Sequence, residues 1–310
     1  MKLKKKVLVC DPIHKEGIEK LKQTGLEVDV NFTISPEQLR RVIANYDALI
    51  VRSRTKVTKE IIEAGKRLKV IGRAGVGLDN IDVETSEKRG ITVFNTPEAP
   101  ADAVAELTIG MMISLARSIP LADQTMKEGK WIKKDLVGWQ LKYKTLGTVG
   151  LGNIGERVAR IAKTLGMKIL ITKRTPPSAD LLRELEAEYI PLRDFSSFLQ
   201  RSDIVTLHVP LIPQTHHMIG AKEFQLMKDG AFLINTSRGA VVEEEALLEA
   251  LQKGKLGGAA LDVYKNEPPE DLALIRLPNV VCTPHIGAQT REAQRAAAIL
   301  IAEKITDSLR

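Results

Sequence analysis

Residues 145–166, TLGTVGLGNIGERVARIAKTLG, contain the pattern that most strongly indicates a fold class. This stretch opens with an apolar run and reaches Gly150, Gly152 and Gly155, which have the spacing G-x-G-x-x-G. A segment with apolar residues at helical period follows, and Gly166 stands where that helix should end. A strand, a glycine loop and a helix in this order predict a parallel α/β unit of the Rossmann type.

Each glycine of this loop has a physical task in such a unit. Gly150 permits the tight turn, Gly152 lets a pyrophosphate approach the backbone, and Gly155 lets the helix pack against the strand. The free N–H groups and the dipole of the helix start then attract the anion. We therefore expect a dinucleotide site here, with Asn153 and Ile154 among its contacts. A glycine-rich turn without a ligand is the alternative.

The next strand, GMKILITKRTPP at 166–177, ends in Lys173, Arg174 and Thr175. An acidic residue usually stands about 20 residues after the glycine loop and binds the ribose 2′-hydroxyl. Two cations and a hydroxyl at that tip are suited to a 2′-phosphate instead. The sequence therefore favours NADP(H). A solvated basic loop with NAD(H) as the cofactor is the alternative.

The 310 residues suggest about two domains. Short β-rich apolar runs alternate with helical-period segments, which is typical of parallel α/β architecture. The strands expected before the glycine loop lie at 7–10, 48–51, 69–72 and 91–95; a helix is expected over 102–117, an irregular polar segment over 118–144, and an amphipathic helix over 290–310. Six more strand candidates follow from residue 145. This pattern predicts two doubly wound parallel-sheet domains.

The charge balance is basic, with 46 Lys and Arg against 39 Asp and Glu. Lys2 and Lys4–Lys6 form the main basic cluster, and aromatic residues make up only 4%. This composition favours small anionic ligands over nucleic acid.

The two cysteines, Cys10 and Cys282, stand in apolar runs and are expected to be buried thiols. They exclude a disulfide scaffold and a cysteine-rich metal site, and no metal is expected. The longest apolar stretch, near 107–116, is too short to span a bilayer. We expect a cytoplasmic enzyme with no membrane partner.

Polar side chains follow the strand candidates after the glycine loop. In chain order they are His208, Thr236, Ser237, Arg238, Asp262, Glu267 and His285. Because the carboxyl ends of parallel strands share one edge of the sheet, these groups should lie near the glycine loop. Arg238 is suited to binding a carboxylate. His285, oriented by Glu267, is suited to exchanging a proton near neutral pH, as hydride transfer at a 2-hydroxy or 2-keto acid requires.

Two loops before the glycine loop carry further candidates. In GRAGVGLDN, successive backbone N–H groups at Gly75 and Val76 would form a nest for a carboxylate. In VRSRTKVT, Arg52, Ser53 and Arg54 stand at a strand tip suited to a phosphate. An exposed basic loop without a ligand is the alternative for the second.

Taken with these motifs, the chain resembles the D-isomer-specific 2-hydroxyacid dehydrogenases nearly end to end. Within that family it is most similar to the 3-phosphoglycerate dehydrogenases. The likeness extends through NTP, AELTIGMM, MKEGKW, INTSRGAVV, ALDVYKNEPP and TPHIGAQTREAQ. It implies a flavodoxin-like substrate domain of residues 1–99 and 287–310. A Rossmann-type nucleotide domain of residues 100–286 is inserted into it and carries a homodimerisation segment after Glu106.

The resemblance also implies the reaction, which is the reversible oxidation of 3-phosphoglycerate to 3-phosphohydroxypyruvate at the entry to serine biosynthesis. Arg238, Glu267 and His285 would be catalytic, and Asp262 would contact the nicotinamide amide. Gly75, Val76 and Arg238 would bind the substrate carboxylate. The Arg52–Arg54 tip would bind the substrate phosphate. The remaining expected cofactor contacts are His208, Val209, Pro210, Thr215, Thr236, Ser237, His285 and Gly287.

Three departures from the family pattern keep alternatives open. The Lys173–Arg174 tip is more similar to NADP-dependent glyoxylate and hydroxypyruvate reductases. Ala101 replaces a Ser or Thr, which leaves Asp102 as the expected helix cap. A regulatory extension after Arg310 is not expected, so a short form is predicted. A nucleotide-sensing binding protein, similar to the corepressors of this fold, is the non-enzyme alternative.

Overall fold

A computed structural model describes residues 4–310, so Lys2 of the basic cluster lies outside the described residues. The backbone divides into two compact units. The first is the chain through Ala103 together with Ala288–Arg310, and the second is Val104–Gly287. The sequence placed these junctions after residues 99 and 286.

The first unit is built on a sheet of five parallel strands. These are β1 (Lys6–Val9), β2 (Glu27–Val30), β3 (Ala48–Val51), β4 (Val70–Arg73) and β5 (Thr92–Phe94). Their order is β2-β1-β3-β4-β5, the flavodoxin-like order. Strand β2 was not predicted from the sequence. EVDV is a short, largely exposed strand at the sheet edge, and its charged residues weaken the apolar signal.

The second unit is built on seven parallel strands. These are β6 (Thr145–Val149), β7 (Lys168–Thr172), β8 (Ala187–Tyr189), β9 (Ile204–Leu207), β10 (Ala231–Asn235), β11 (Leu256–Leu261) and β12 (Val280–Cys282). Their order, β8-β7-β6-β9-β10-β11-β12, is the Rossmann order with one added edge strand. The order reverses between β6 and β9, where such sheets bind ligands. The predicted fold class is confirmed for both sheets.

Helices cover both faces of each sheet. In chain order they are α1 (Lys15–Gln23), α2 (Pro36–Val42), α3 (Lys59–Ala64), α4 (Val83–Lys88), α5 (Ala101–Arg117), α6 (Ile119–Lys127), α7 (Asn153–Thr164), α8 (Ala179–Leu185), α9 (Phe195–Arg201), α10 (Ala221–Leu226), α11 (Glu244–Gln252) and α12 (Arg291–Leu309). The last helix packs in the first unit, where Ile301 and Ile305 lie over Gly72 of β4. A β-carbon at Gly72 would stand 2.7 Å from Ile301 Cγ1, so this helix needs the missing side chain.

Three local expectations were wrong. The segment after Arg117 is not irregular throughout, because α6 follows α5 across Ser118, whose φ is +49°. Helix α5 begins at Ala101, so Asp102 lies in its first turn and is not the cap. Cys10 is buried, but Cys282, on the edge strand β12, is only partly buried.

Within residues 4–310, no single helix is both long and apolar enough to cross a membrane. Helices α5 and α6 meet that criterion only as a pair, bent by 66°.

Candidate active site

The glycine loop leaves space and donors at the start of α7. Gly150 has a φ of +91°, and a β-carbon there would overlap the carbonyl oxygen of His208. A β-carbon at Gly155 would overlap the Gly150 carbonyl oxygen, so α7 and β6 pack closely there. A β-carbon at Gly152 would meet only open space, and no side chain caps the helix that follows. This exposed, uncapped helix start fits a dinucleotide pyrophosphate.

The tip of β7 presents its cations outward. The Lys173 side chain is half-buried, and Arg174 and Thr175 are exposed. The Tyr189 hydroxyl donates a hydrogen bond of 3.1 Å to the Lys173 carbonyl oxygen, which ties the tip to the end of β8. In the described part of the chain neither cation forms an ion pair. Both charges are therefore available to an anionic ligand.

His285 and Glu267 form a hydrogen-bonded pair. His285 Nδ1 lies 2.7 Å from Glu267 Oε2, and the two side chains are 46% and 38% exposed. The Tyr264 N–H donates to Glu267 Oε1 at 3.2 Å. Burial raises the pKa of Glu267, but the hydrogen bond and charge of His285, the Tyr264 N–H and the charge of Arg238 together outweigh burial and hold the pKa below its ordinary value. An ionised Glu267 thus fixes Nδ1 and leaves Nε2 for proton exchange with a ligand.

Asp262 supports the segment that carries His285. Its buried Oδ1 accepts hydrogen bonds from Thr283 Oγ1 at 2.6 Å and from the Ile286 N–H at 2.8 Å. Its Oδ2 accepts one from the Gly287 N–H at 2.9 Å. Both carboxylate oxygens therefore hold the chain around His285. The expected contact of Asp262 with the nicotinamide amide stays a prediction.

The loop after β10 is fixed from within. Buried Asn235 accepts hydrogen bonds from the Ser237 N–H at 3.0 Å and from its hydroxyl at 2.8 Å, and donates one to the Arg238 carbonyl oxygen at 2.8 Å. The Thr236 hydroxyl lies 2.9 Å from the Thr108 hydroxyl. These contacts orient the backbone at Arg238. The cofactor contacts expected of Thr236 and Ser237 stay predictions.

Arg238 is brought towards the Glu267 segment by the next residue, Gly239. A β-carbon at Gly239 would overlap the Tyr264 carbonyl group. Only glycine lets these two loops approach so closely. The charge of Arg238 also contributes to lowering the pKa of Glu267. Arg238, Glu267 and His285 are therefore gathered at one edge of the second sheet.

The loop after β9 carries His208, Val209, Pro210 and Thr215, whose expected cofactor contacts stay predictions. His208 Nε2 lies 3.0 Å from Thr206 Oγ1, and burial lowers the pKa of His208 to about 3. His208 therefore stays neutral and is suited to lining a site, not to proton exchange. The Thr215 hydroxyl donates to the Pro210 carbonyl oxygen at 2.6 Å, so it holds the loop. Val209 packs beside Gly150.

In the first unit, buried Asp11 organises the Arg52–Thr55 tip. Its Oδ2 accepts the Arg52 N–H at 2.6 Å, and its Oδ1 accepts Arg54 Nε at 3.1 Å. Arg54 Nη2 also donates to the Cys10 carbonyl oxygen at 2.6 Å. Ser53 is exposed between them. Arg54 is therefore partly committed to the protein.

Only part of the predicted anion nest is available. The Gly75 N–H donates to the Arg73 carbonyl oxygen at 2.9 Å, so it does not point freely at a ligand as expected. Among the described residues, the Val76 N–H has no acceptor, and its carbonyl oxygen is fixed by Asn95 Nδ2 at 2.5 Å. Gly75 and Arg52 nevertheless line one small pocket of this unit, together with His14.

Sequence reasoning missed the residues that position the others. Asn235 and Tyr264 lie inside the motifs INTSRGAVV and ALDVYKNEPP but were not singled out there, and Asp11 lies outside the quoted motifs. A further signal was their place, at or shortly after the carboxyl end of a strand. Which backbone groups they bind depends on strand order, which one sequence does not reveal.

Comparison with known proteins identifies the family. The model of the D-isomer specific 2-hydroxyacid dehydrogenase, NAD binding domain, matches residues 109–287. A D-3-phosphoglycerate dehydrogenase of Methanocaldococcus jannaschii is 46% identical over 98% of this chain, and the match spans 57% of that relative's length. A hydroxypyruvate reductase of Thermotoga maritima is 47% identical over 98% of both chains.

A solved structure gives the same answer. The crystal structure of a glyoxylate reductase from Paecilomyes thermophila superposes with a TM-score of 0.91 at 31% identity, covering 100% of this chain and 96% of the other. The glycine loop, the strand order and these matches agree, and the chain belongs to the D-isomer-specific 2-hydroxyacid dehydrogenases.

Proposed function

We propose that the chain is an NAD(P)-dependent oxidoreductase acting on a D-2-hydroxy acid. The observation that carries the proposal is the His285–Glu267 hydrogen bond of 2.7 Å on the sheet that bears the glycine loop. An oriented imidazole beside a dinucleotide loop is what hydroxyl oxidation needs.

The proposed roles follow from the chemistry of each group. A nicotinamide cofactor, when bound at the glycine loop, would supply or accept the hydride. His285 Nε2 takes the hydroxyl proton during oxidation and returns it during reduction. Glu267 holds the ring and stabilises its protonated form. Arg238 binds the substrate carboxylate through its planar fork of donors.

For the cofactor, the proposal is NADP(H), with NAD(H) as the alternative. The outward charges of Lys173 and Arg174 support it, whereas the matched family model carries the name of an NAD binding domain. The test is KM for NADPH and NADH with one keto acid. A tenfold or greater preference for NADH would overturn the NADP(H) assignment.

For the substrate, the proposal is 3-phosphoglycerate, interconverted with 3-phosphohydroxypyruvate. The Arg52–Arg54 tip supports a phosphorylated substrate. The alternative, a glyoxylate or hydroxypyruvate reductase, is favoured by one contact: Asp11 already holds Arg54. Replacing Arg52 and Arg54 together by Ala should raise KM for 3-phosphohydroxypyruvate far more than for hydroxypyruvate. Equal increases would exclude phosphate recognition there.

The non-enzyme alternative and the assembly have separate tests. Turnover that disappears in His285→Ala excludes a purely nucleotide-sensing role.

We also propose a homodimer through the segment after Glu106, where Trp131 and Val137 are strongly exposed. Sedimentation of the wild type and of Trp131→Ala measures this. The cytoplasmic location and the role in serine biosynthesis stay predictions.

A further inference from the structure

Tyr264 contacts Glu267 through its backbone N–H and the backbone that leads to His285 through its hydroxyl. It lies between Asp262 and Glu267 and is only 8% exposed. Its backbone N–H donates to Glu267 Oε1 at 3.2 Å. Its hydroxyl lies 3.1 Å from the Leu261 carbonyl oxygen and 3.0 Å from the Thr283 carbonyl oxygen. The single phenolic proton is therefore shared between the ends of β11 and β12.

The Thr283 carbonyl oxygen connects this hydroxyl to the backbone of His285. It also accepts the His285 N–H at 3.1 Å. The φ of His285 is +52°, in the left-handed region that is unfavourable for a residue with a side chain. A chain held in that conformation needs fixed contacts on either side. Tyr264 supplies one before His285, and Asp262 supplies others after it.

We propose that Tyr264 is a positioning residue for proton transfer. Its hydroxyl fixes the backbone that carries His285, while its own amide fixes Glu267. The inference rests on the proposed function, because it assumes that His285 exchanges the substrate proton. It assigns no contact between Tyr264 and substrate or cofactor.

The phenol is suited to this task because it remains a donor. Burial, followed by the nearby Cys282 and Asp262, raises the pKa of Tyr264 above its ordinary value. The hydroxyl therefore keeps its proton at every pH at which the enzyme would be assayed. Phenylalanine at this position would keep the packing and lose only the shared hydrogen bond.

The test compares Tyr264→Phe with the wild type and with Tyr46→Phe. The control also loses one phenolic hydrogen bond, from Tyr46 to Asp29 at 2.9 Å in the first unit. We expect kcat of Tyr264→Phe to fall about tenfold with KM for the cofactor unchanged, since small misplacements of a reacting group are costly. Tyr46→Phe should leave kcat unchanged. Thermal unfolding of both variants checks that each is folded.

A spectroscopic readout separates positioning from general destabilisation. The chain has five histidines, so ¹⁵N-histidine labelling gives few imidazole signals, and His285→Ala assigns the relevant one. We expect the His285 signal to move in Tyr264→Phe and to stay in place in Tyr46→Phe. An unmoved signal with wild-type kcat would overturn the inference. A drop in melting temperature with unchanged kcat and signal would also overturn it.

The proposed function fails in a different way. If His285→Ala keeps wild-type turnover, the catalytic assignment itself is wrong, whatever Tyr264→Phe does. If His285→Ala is inactive and Tyr264→Phe behaves as the wild type, only the positioning role is wrong.

Discussion

Replacing Asp11 by Asn should show how much the Arg52–Thr55 tip depends on one buried carboxylate. Asp11 is 1% exposed and accepts four hydrogen bonds. One oxygen binds the N–H groups of Arg52 and Thr55, and the other binds Arg54 Nε and the Thr55 hydroxyl. An amide has one acceptor atom, so its nitrogen must face one of these two sets of donors.

The magnitude follows from the better of the two orientations. An amide nitrogen facing the two N–H groups would leave both unsatisfied, whereas the Thr55 hydroxyl can turn and accept. In that second orientation, three contacts remain and lose a charged partner, at about 1 kcal/mol each. The ion pair with half-exposed Arg54 adds little. We expect a loss of about 3 kcal/mol in the free energy of unfolding of the first unit.

Urea and thermal unfolding measure this change, with Asp29→Asn as the control. Asp29 is exposed and accepts one hydrogen bond, from Tyr46, so its replacement should cost less than about 0.5 kcal/mol. The displaced tip should also raise KM for 3-phosphohydroxypyruvate more than for hydroxypyruvate. A loss below about 1 kcal/mol for Asp11→Asn would refute the hydrogen-bond argument.

Three further predictions concern the second unit. Gly239→Ala places a β-carbon into the Tyr264 carbonyl group. It should lower the free energy of unfolding by about 3 kcal/mol or more. A near-neutral effect would show that the two loops can separate. Lys173→Ala should raise KM for NADPH about 10- to 30-fold and leave KM for NADH nearly unchanged. The reason is that a unit charge near a phosphate dianion contributes about 2 kcal/mol in water. Equal effects on both cofactors would contradict this. Because the pKa of Glu267 is lowered, its carboxylate is ionised and paired at every pH above the ordinary glutamate pKa. This form is lost only as the pH falls through the lowered pKa. Carboxyl ¹³C titration should give a midpoint below the ordinary glutamate value, and a midpoint at or above that value would refute the pairing in solution.

The sequence predicts features whose signal is local. The glycine loop needs three glycines at fixed spacing between a strand and a helix, and Gly166, with a φ of +77°, follows the helix as expected. Strand β2 and helix α6 have weaker local signals, because one is short and largely exposed and the other is interrupted at Ser118. Polar segments of this kind become regular only when the rest of the unit packs beside them.

The contacts of the candidate site likewise differ in whether the sequence could predict them. Glu267 and His285 were expected to pair because both follow strands of one sheet, and they lie 2.7 Å apart. The occupied N–H of Gly75 was not predictable, since it depends on a turn that the glycine-rich sequence permits without requiring. Tyr264 was equally hidden, because its partner Thr283 is 19 positions away along the chain.

One device recurs where the strands end, and it explains why these loops can carry reactive groups. After β1 and β11, a buried carboxylate of Asp11 or Asp262 accepts N–H groups from the loop that follows the neighbouring strand. Backbone donors there have left the sheet ladder and need acceptors if they are buried. Because Asp11 and Asp262 supply them, Arg52 and His285 project from a fixed backbone. An acidic residue at the end of a parallel strand can therefore either contact a ligand or support a loop. The hydrogen bonds of Asp11 and Asp262 favour loop support.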